Sequence, residues 1–414
     1  MIKLPHCGIK LNMDKEPALS NGIYRDLKGQ TVFVPICSRA KENFTTRVQV
    51  GDKVKKYQVL AEDNAGEFAT YSPFDGTIMA LWDMRHPIYK LTKCVEIKVN
   101  QPEDSAGNSG QTEAADIDVL TPDTIIATAK RAAITDELDL TRLYDKLLYA
   151  KKEGCRGVAI VANDDQPYMS SGTAILLENV EPIVAALGLL ARVADCESKS
   201  IITYGDVSDK LPEHPLRGIN VIGITGAYPF VSEARACFKD GVIYIGVQAA
   251  LALYNACAFG RSQVSCVVTV DGDCVKKPMN IEVGFGTPIA ELIDHCGVKG
   301  NPGRIIVGGP MTGRAISPSS VIFPGTTSIT VTERSAGRKA GTCIGCGRCV
   351  SACPQKLAPV YAFKDLLGGN YDSAFMKRAR RCVRCGLCSY VCPAGINVKR
   401  VMGKCAQNYS KNKK

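Results

Sequence analysis

The spacing of hydrophobic positions changes several times along the chain, and each change predicts a different kind of element. Residues 45–82 alternate apolar and polar positions in short runs, which the turn dipeptides Gly51-Asp52 and Asp75-Gly76 separate. This alternation is typical of β-strands joined by tight turns. Residues 101–118 are polar, rich in Gly and Ser and without an apolar period, so we expect a linker and a domain boundary there.

Residues 119–260 alternate strand-like and helix-like segments, which predicts an α/β layer. The apolar runs that predict buried strands are 157–162, 219–224 and 240–245, and the segments with helical spacing are 141–152 and 175–194, the second broken once. Asp164, Asp165 and Tyr168 follow the first of these strands, where ligand sites of α/β layers often form. They are therefore candidate cofactor-binding residues, and a capped strand end with a turn is the alternative interpretation.

The remaining segments are smaller. Residues 261–336 have strand-like runs around one helical segment and predict a β-rich unit. Further on, 358–367 and 373–381 have helical spacing, so we expect the C-terminal domain to be helical. No run reaches the roughly 18 apolar residues that a membrane helix needs, and no leader segment is evident at the N-terminus. We therefore expect a cytoplasmic protein.

Two copies of one cysteine pattern carry the clearest chemistry. Each run has the spacing C-x2-C-x2-C-x3-C followed by proline: Cys343, Cys346, Cys349 and Cys353, then Cys382, Cys385, Cys388 and Cys392. This is the spacing of bacterial two-cluster ferredoxins, in which the fourth cysteine of each run binds the other cluster. The pattern therefore predicts two [4Fe-4S] clusters, one bound by Cys343, Cys346, Cys349 and Cys392 and the other by Cys353, Cys382, Cys385 and Cys388.

Other interpretations of the cysteines are weaker. Zinc also binds C-x2-C pairs, but three cysteines at this spacing before a proline, seen twice, do not match its usual ligand pattern. A disulfide framework does not suit a chain of 414 residues with an odd cysteine count of 19. Close clusters pass single electrons, so the sequence predicts an electron-transfer protein.

The net charge of +10 is concentrated in two C-terminal groups of basic residues, around 377–381 and 399–414. An acidic protein partner, an anionic membrane surface and a plain solvated tail all remain open explanations. No nucleic-acid motif accompanies these groups, so we expect no nucleic acid among the partners.

The order of these units resembles that of the RnfC family, which supplies the C subunit of the Rnf electron-transport complex. A cobalamin reductase of propanediol utilisation and a proline-reductase-associated electron-transfer protein are related to this family. The resemblance rests on the turn segments of a biotinyl/lipoyl-type sandwich, on the segments Gly286-Thr-Pro-Ile-Ala-Glu-Leu-Ile and Gly308-Gly-Pro-Met-Thr-Gly313, and on the cysteine runs. The sandwich has no exposed carrier lysine at its hairpin tip, so we interpret it as structural.

The resemblance implies a multidomain α+β chain. Its expected parts are an N-terminal region with a barrel-sandwich hybrid (1–100), a linker (101–118), a Rossmann-like α/β domain of FMN/NADH type (119–260), a β-grasp unit of SLBB type (261–336), and a helical dicluster ferredoxin domain with a basic tail (337–414). The implied partners are other subunits of a redox complex, either Rnf-type membrane subunits or a soluble reductase, with peripheral attachment to the cytoplasmic face of the membrane.

Three elements that face flavin or nicotinamide in the family are altered together. The glycine-rich loop before the first buried strand is missing, the acidic motif after that strand includes Gln166, and the segment at 227–233 lacks the family's lysine and glycine. Two main alternatives follow, and a scaffold whose clusters are only structural is a third. Either the chain oxidises NADH through FMN with an altered loop, or it is a flavin-free adaptor that passes electrons through two clusters to a partner. In the light of the resemblance, Asp164, Asp165 and Tyr168 are the candidates for a flavin site, and no catalytic residue is identified.

Overall fold

The computed structural model describes residues 2–3, 8–27, 29–36, 44–86, 90–100, 113–162, 164–229, 241–333 and 340–411. Most of the predicted linker, the altered segment from 230 to 233, Asn163 and the last three residues of the basic tail lie outside these ranges. The first 27 residues contribute three short elements: β1 (Ile2–Lys3), α1 (Glu16–Leu19) and β2 (Ile23–Tyr24). Both strands join sheets that are formed much later in the chain.

The next unit consists of two small antiparallel sheets packed face to face. Its strands are β3 (Thr31–Ile36), β4 (Phe44–Thr46), β5 (Lys53–Val54), β6 (Val59–Asp63), β7 (Ala69–Tyr71), β8 (Gly76–His86) and β9 (Lys90–Val99). The sheet orders are β3-β9-β8-β5 and β4-β6-β7. Gly51 has a φ of +94° in the predicted turn, and a Cβ on Gly76 would clash with the Lys98 carbonyl oxygen. The predicted turns are thus present, and Leu60 and Ile97 lie in the shared core.

An α/β layer follows. Its elements are α2 (Pro122–Arg131), α3 (Leu143–Glu153), β10 (Gly157–Ala162), α4 (Ser171–Glu178), α5 (Val180–Ala194), β11 (Ser198–Tyr204), β12 (Asn220–Thr225), β13 (Val242–Gly246) and α6 (Val247–Phe259). The sheet is parallel throughout, in the order β1-β12-β11-β10-β13. The three predicted strands and the predicted helices are confirmed, and β11 and α2 are additional.

The helices cover one face of this sheet with a large apolar core that includes Ile160, Ile183 and Leu187. The predicted break in the 175–194 helix lies at Asn179, where α4 ends and α5 begins at an angle of 97°. Among the described residues, no single helix is long and apolar enough to cross a membrane, and only this bent pair meets the length and composition when both helices are counted together.

The second β unit forms a six-stranded sheet with one helix. Its elements are β14 (Ser265–Asp271), β15 (Met279–Gly284), α7 (Ile289–Cys296), β16 (Pro302–Val307), β17 (Arg314–Ile316) and β18 (Ser328–Glu333). The order is β17-β16-β18-β14-β15-β2, so the N-terminal strand β2 completes this sheet. Because β1 pairs with β12 in the α/β layer, the N-terminal segment connects two units other than the sandwich.

The cysteine-rich domain is helical in the described residues, as predicted. Its helices are α8 (Arg348–Ser351), α9 (Pro359–Leu367), α10 (Ala374–Ala379), α11 (Leu387–Tyr390) and α12 (Val398–Lys411). Ser373 caps α10 by accepting a hydrogen bond from the Met376 amide. Leu357, Met376 and Met402 form a small core on which four of the cluster cysteines also pack.

Candidate functional site

A cavity of about 620 Å3 lies where the α/β layer, the second β unit and the cysteine-rich domain meet. In the parallel sheet, β10 and β13 are neighbours, yet the chain proceeds from β10 to β11 on one side and returns to β13 on the other. Ligands of open α/β sheets bind outside the carboxyl ends of the strands at such a change of direction. The cavity lies at this place, because the residues after β10 and the first residues of α6 line it.

Asp164 lines the cavity, and its side chain binds the first turn of α4. Its carboxylate accepts hydrogen bonds from the Gly172 and Thr173 amides, at 3.2 and 2.9 Å, and from the Thr173 hydroxyl at 3.0 Å. The buried Lys15 ammonium donates to the Asp164 carbonyl oxygen, and burial lowers the pKa of Lys15 to about 8 although Asp164 and Asp165 favour its charged form. Much of the hydrogen-bonding capacity of Asp164 therefore serves the fold.

The other two candidates have different positions. Asp165 lines the cavity and interacts electrostatically with Lys15 and Tyr228. Tyr168 instead donates its hydroxyl proton to Asp273 at 2.7 Å, and burial together with this bond raises its pKa. The structure thus brings the two aspartates to the cavity and directs Tyr168 to the second β unit.

Glu137 was not among the predicted site residues, yet it occupies the sheet side of the cavity. Its carboxylate accepts hydrogen bonds from the Gln248 and Ala249 amides at 2.8 and 3.1 Å, in the first turn of α6. The adjacent Asp136 accepts from the Gly246 amide at 3.2 Å. Burial, followed by the proximity of Asp136, raises the pKa of Glu137 to about 8.

Gln166 connects the α/β layer to the loop 308–313 of the second β unit. Its side-chain oxygen accepts hydrogen bonds from the Met311 and Thr312 amides, both at 3.0 Å, and its amide group donates to the Thr312 hydroxyl at 2.6 Å. A Cβ on Gly309 would clash with the same oxygen. The glutamine that replaces an acidic residue of the family motif therefore holds this loop in place.

The cysteine-rich domain closes the opposite side of the cavity. Tyr228 is buried, and its hydroxyl donates to the Cys385 carbonyl oxygen at 2.7 Å. Lys399 donates to the Thr312 carbonyl oxygen at 3.1 Å, and a Cβ on Gly386 would lie 2.5 Å from the Met311 carbonyl oxygen. These contacts hold the second cysteine run against the loop 308–313, so Cys385 itself lines the cavity.

The second group of cysteines includes one member of the first run. A small cavity is lined by Cys353 together with Cys382, Cys385 and Cys388. Burial raises the pKa of the Cys388 thiol to about 12, and the nearby Cys382, Cys385 and Cys353 contribute to the shift. A cysteine thiol must lose its proton to bind metal, and the positive charge of the bound metal compensates the charge of the thiolate. The fold thus gathers four cysteines around one small cavity, three from one run and one from the other.

The first group is more exposed. Cys343 and Cys346 are exposed, and both interact electrostatically with the partly buried Cys349. In the described part of the chain, no three His, Cys, Asp or Glu side chains are close enough to hold a single metal ion. The thiolates around a [4Fe-4S] cube lie farther apart than the ligands of a single ion, because each thiolate binds a different iron.

Charge is unevenly distributed around the larger cavity. Its acidic residues belong to the α/β layer, whereas its basic residues lie on the loop side and the cysteine side: Arg314, Arg384 and Lys399. Sequence reasoning missed Glu137, which belongs to no metal-binding or nucleophile motif. It named Gln166 only as an altered motif position and did not foresee its contact with the loop 308–313. The only signal for Glu137 was a pair of acidic residues shortly after the apolar segment at 132–134.

Three family models match the chain. They are the RnfC barrel sandwich hybrid domain over residues 5–102, the SLBB domain over residues 267–315 and the 4Fe-4S dicluster domain over residues 342–396. The predicted sandwich, SLBB unit and iron–sulfur domain are thereby confirmed at the level of domain type. The dicluster match spans all eight cysteines of the two runs.

Curated relatives extend the similarity over most of the chain. The C subunit of the ion-translocating oxidoreductase complex of Methanosarcina acetivorans is 30% identical over 379 residues, which are 82% of this chain and 83% of that protein. The C subunit of the proton-translocating ferredoxin:NAD(+) oxidoreductase complex of Clostridium ljungdahlii is 27% identical, with 79% and 77% coverage. The C subunit of the ion-translocating oxidoreductase complex of Rhodobacter capsulatus is 30% identical over 234 residues, which are 50% of this chain and 45% of that protein.

Among solved structures, an NAD+-reducing [NiFe]-hydrogenase in the air-oxidised state matches with a TM-score of 0.45 and 11% identity, covering 75% of this chain and 70% of that one. The sequence similarity, by contrast, spans more than four fifths of both chains for the Methanosarcina acetivorans protein. The chain therefore belongs to the RnfC family, the C subunits of ion-translocating oxidoreductase complexes.

Proposed function

We propose that this chain is an electron-transfer subunit of an Rnf-type or related redox complex and that it carries two [4Fe-4S] clusters. Cys343, Cys346, Cys349 and Cys392 would hold one cluster, and Cys353, Cys382, Cys385 and Cys388 the other. The observation that carries this proposal is the grouping of Cys353 with three cysteines of the second run. Soft thiolates suit iron–sulfur clusters, whose chemistry is the uptake and release of single electrons.

The two cysteine groups differ in their surroundings, and this difference suggests a route. Cys385 lines the large cavity, so the second group lies beside any redox group that the cavity receives. Cys343 and Cys346 are exposed, which makes the first group accessible to another protein. We infer that electrons move between the cavity side and a protein partner at the exposed side.

The partners that we propose are other subunits of a redox complex, since the relatives are named as subunits of such complexes. Either Rnf-type membrane subunits or a soluble reductase would fit. Basic residues of α12 provide a surface for an acidic partner or an anionic membrane, and this supports peripheral attachment on the cytoplasmic face. Release from membranes by high salt would support peripheral attachment, and retention through high salt and alkali would contradict it.

Oxidation of NADH through FMN is the second candidate function. The size of the cavity and its position beside Cys385 favour it. The hydrogen-bond donors of the first turn of α6, which would suit a flavin phosphate, are instead used by Glu137 and Asp136. The residues present therefore do not fit a phosphate group at this end of the cavity, and we favour the flavin-free adaptor.

The domain boundaries that we propose are 1–100, 101–118, 119–260, 261–336 and 337–414, with one addition. The α/β domain would include β1, and the SLBB-type unit would include β2, because each strand pairs with the sheet of that unit.

The test uses protein purified without oxygen. Iron and flavin are quantified together, NADH is added, and absorbance in the iron–sulfur band is followed. We expect about eight irons per chain, no flavin and no response to NADH. A low-potential chemical donor should reduce the clusters. About four irons would contradict two clusters, and bound FMN with bleaching by NADH would establish the second candidate. In a Cys346→Ala variant, unchanged electron delivery to an acceptor would contradict a conducting role.

A further inference from the structure

The first turn of α6 points into the cavity with its backbone N–H groups, which have no partner within the helix. Such a turn attracts anions because its donors and the helix dipole act together. Here the chain supplies its own occupant for this site, the carboxyl group of Glu137. Glu137 binds the Gln248 and Ala249 amides, and its carboxyl group would clash with a Cβ on Gly246. The carboxyl group thus occupies the space that the absent side chain of Gly246 leaves open.

Asp136 reinforces this arrangement from the neighbouring position. It is fully buried, accepts from the Gly246 amide and forms an ion pair with Lys146 at 2.6 Å. Asp136 also accepts from the Leu138 amide at 2.9 Å, which fixes the backbone on the far side of Glu137. Glu137 is therefore held at the turn by its neighbours as well as by its own hydrogen bonds.

A second, independent feature indicates that the cavity receives a ligand. Ser171 lines the cavity and is only 1% exposed, and its hydroxyl oxygen has no hydrogen-bond partner among the described residues. A buried hydroxyl without a partner is unfavourable, so a ligand that binds it would recover that cost. The hydroxyl lies at the start of α4, in the lining that also contains Asp164.

We propose that Glu137 determines the ligand specificity of this cavity by filling the position of a ligand phosphate, so that phosphate-terminated ligands such as FMN are excluded and phosphate-free ligands are admitted. This inference goes beyond the cluster function, because it concerns the cavity alone. The exclusion is steric at any pH, since the carboxyl group occupies the donors whether or not it is ionised. Ionised Glu137 adds repulsion between like charges at alkaline pH.

The experiment measures FMN and riboflavin binding by the quenching of flavin fluorescence, with the cluster-loaded full chain. These two probes share the ring system and differ by the phosphate. We expect wild type to bind FMN more weakly than Glu137→Ala does, by about ten-fold or more, because the variant frees two amide donors for the phosphate. Riboflavin affinity should change by less than about three-fold. Glu137→Gln is the matched control, since it keeps the side chain's shape and should still exclude FMN at about pH 6.

Three results would overturn the proposal. They are FMN bound to wild type as tightly as to Glu137→Ala, an equal gain of FMN and riboflavin in the variant, or a Glu137→Gln variant that binds FMN like Glu137→Ala. Glu137→Ser replaces the alanine variant if circular dichroism shows that the latter does not fold. Iron content is measured in parallel. A failure of this inference with about eight irons leaves the cluster function standing, whereas a loss of iron in wild type concerns the clusters and not Glu137.

Discussion

The Gln166 contact offers a sharp test of how the three units are held together at the cavity. A Gln166→Met substitution keeps the length of the side chain but removes its acceptor and its donor. The Met311 and Thr312 amides then lose their common partner, and the Thr312 hydroxyl loses a donor at 2.6 Å. The same loop contacts the second cysteine run through Lys399 and Gly386, so its loosening would reach the cysteine-rich domain.

The magnitude follows from the number of groups left without partners. Each unsatisfied buried donor costs about 1–3 kcal/mol, and both amides are only partly buried, so about 1.5 kcal/mol each is appropriate. The expected loss is about 3 kcal/mol for local opening of the loop 308–313. This corresponds to about a hundred-fold increase in the opening equilibrium constant.

Native-state hydrogen exchange measures this equilibrium constant for loop opening directly. We expect the Met311 and Thr312 amides to lose about a hundred-fold in protection in Gln166→Met, while amides of β10 stay unchanged. Gln49→Met is the matched control, because Gln49 is exposed on the sandwich and does not line the cavity. Protection of both amides within about two-fold of wild type would refute the role assigned to Gln166.

Three further predictions concern the same region. The pKa of Glu137 is raised above its unfolded value to about 8, so its contribution to stability is complete below about pH 4 and is lost as pH rises through 8. In urea unfolding, wild type should therefore lose stability between about pH 5 and pH 9 relative to Glu137→Gln. Parallel stability curves for the two proteins would contradict this. Cys353→Ala should reduce the iron content from about eight to about four, whereas the buried Cys405→Ala keeps about eight, and equal iron in both would oppose the crossed ligand set. Lys146→Met should destabilise the protein by about 3–5 kcal/mol in urea unfolding, because it leaves the buried Asp136 without its ion-pair partner. Adding Asp136→Asn should restore most of the loss. A change below about 0.5 kcal/mol, the scatter of surface substitutions, would refute this.

Much of the architecture followed from local sequence patterns. Apolar runs such as Gly157–Ala162 predicted buried strands because both faces of a parallel sheet are covered. Gly154 ends α3 with a φ of +67°, a conformation that glycine adopts without strain. The strand β11 was missed because its first residues are polar and partly exposed, and β1 and β2 were missed because two-residue strands have no periodicity.

The cysteine spacing alone determined the chemistry of the C-terminal domain, because metal ligands from one short segment must follow the geometry of the cluster. The sequence also indicated that the cofactor-facing motifs of the family are altered. Only the tertiary structure decided what replaced them. Glu137 and Gln166 act on partners about 110 and 145 positions away in sequence, and no local pattern reports such contacts. Their roles arise because the parallel sheet and the SLBB-type unit bring the first turn of α6 and the loop 308–313 to one cavity.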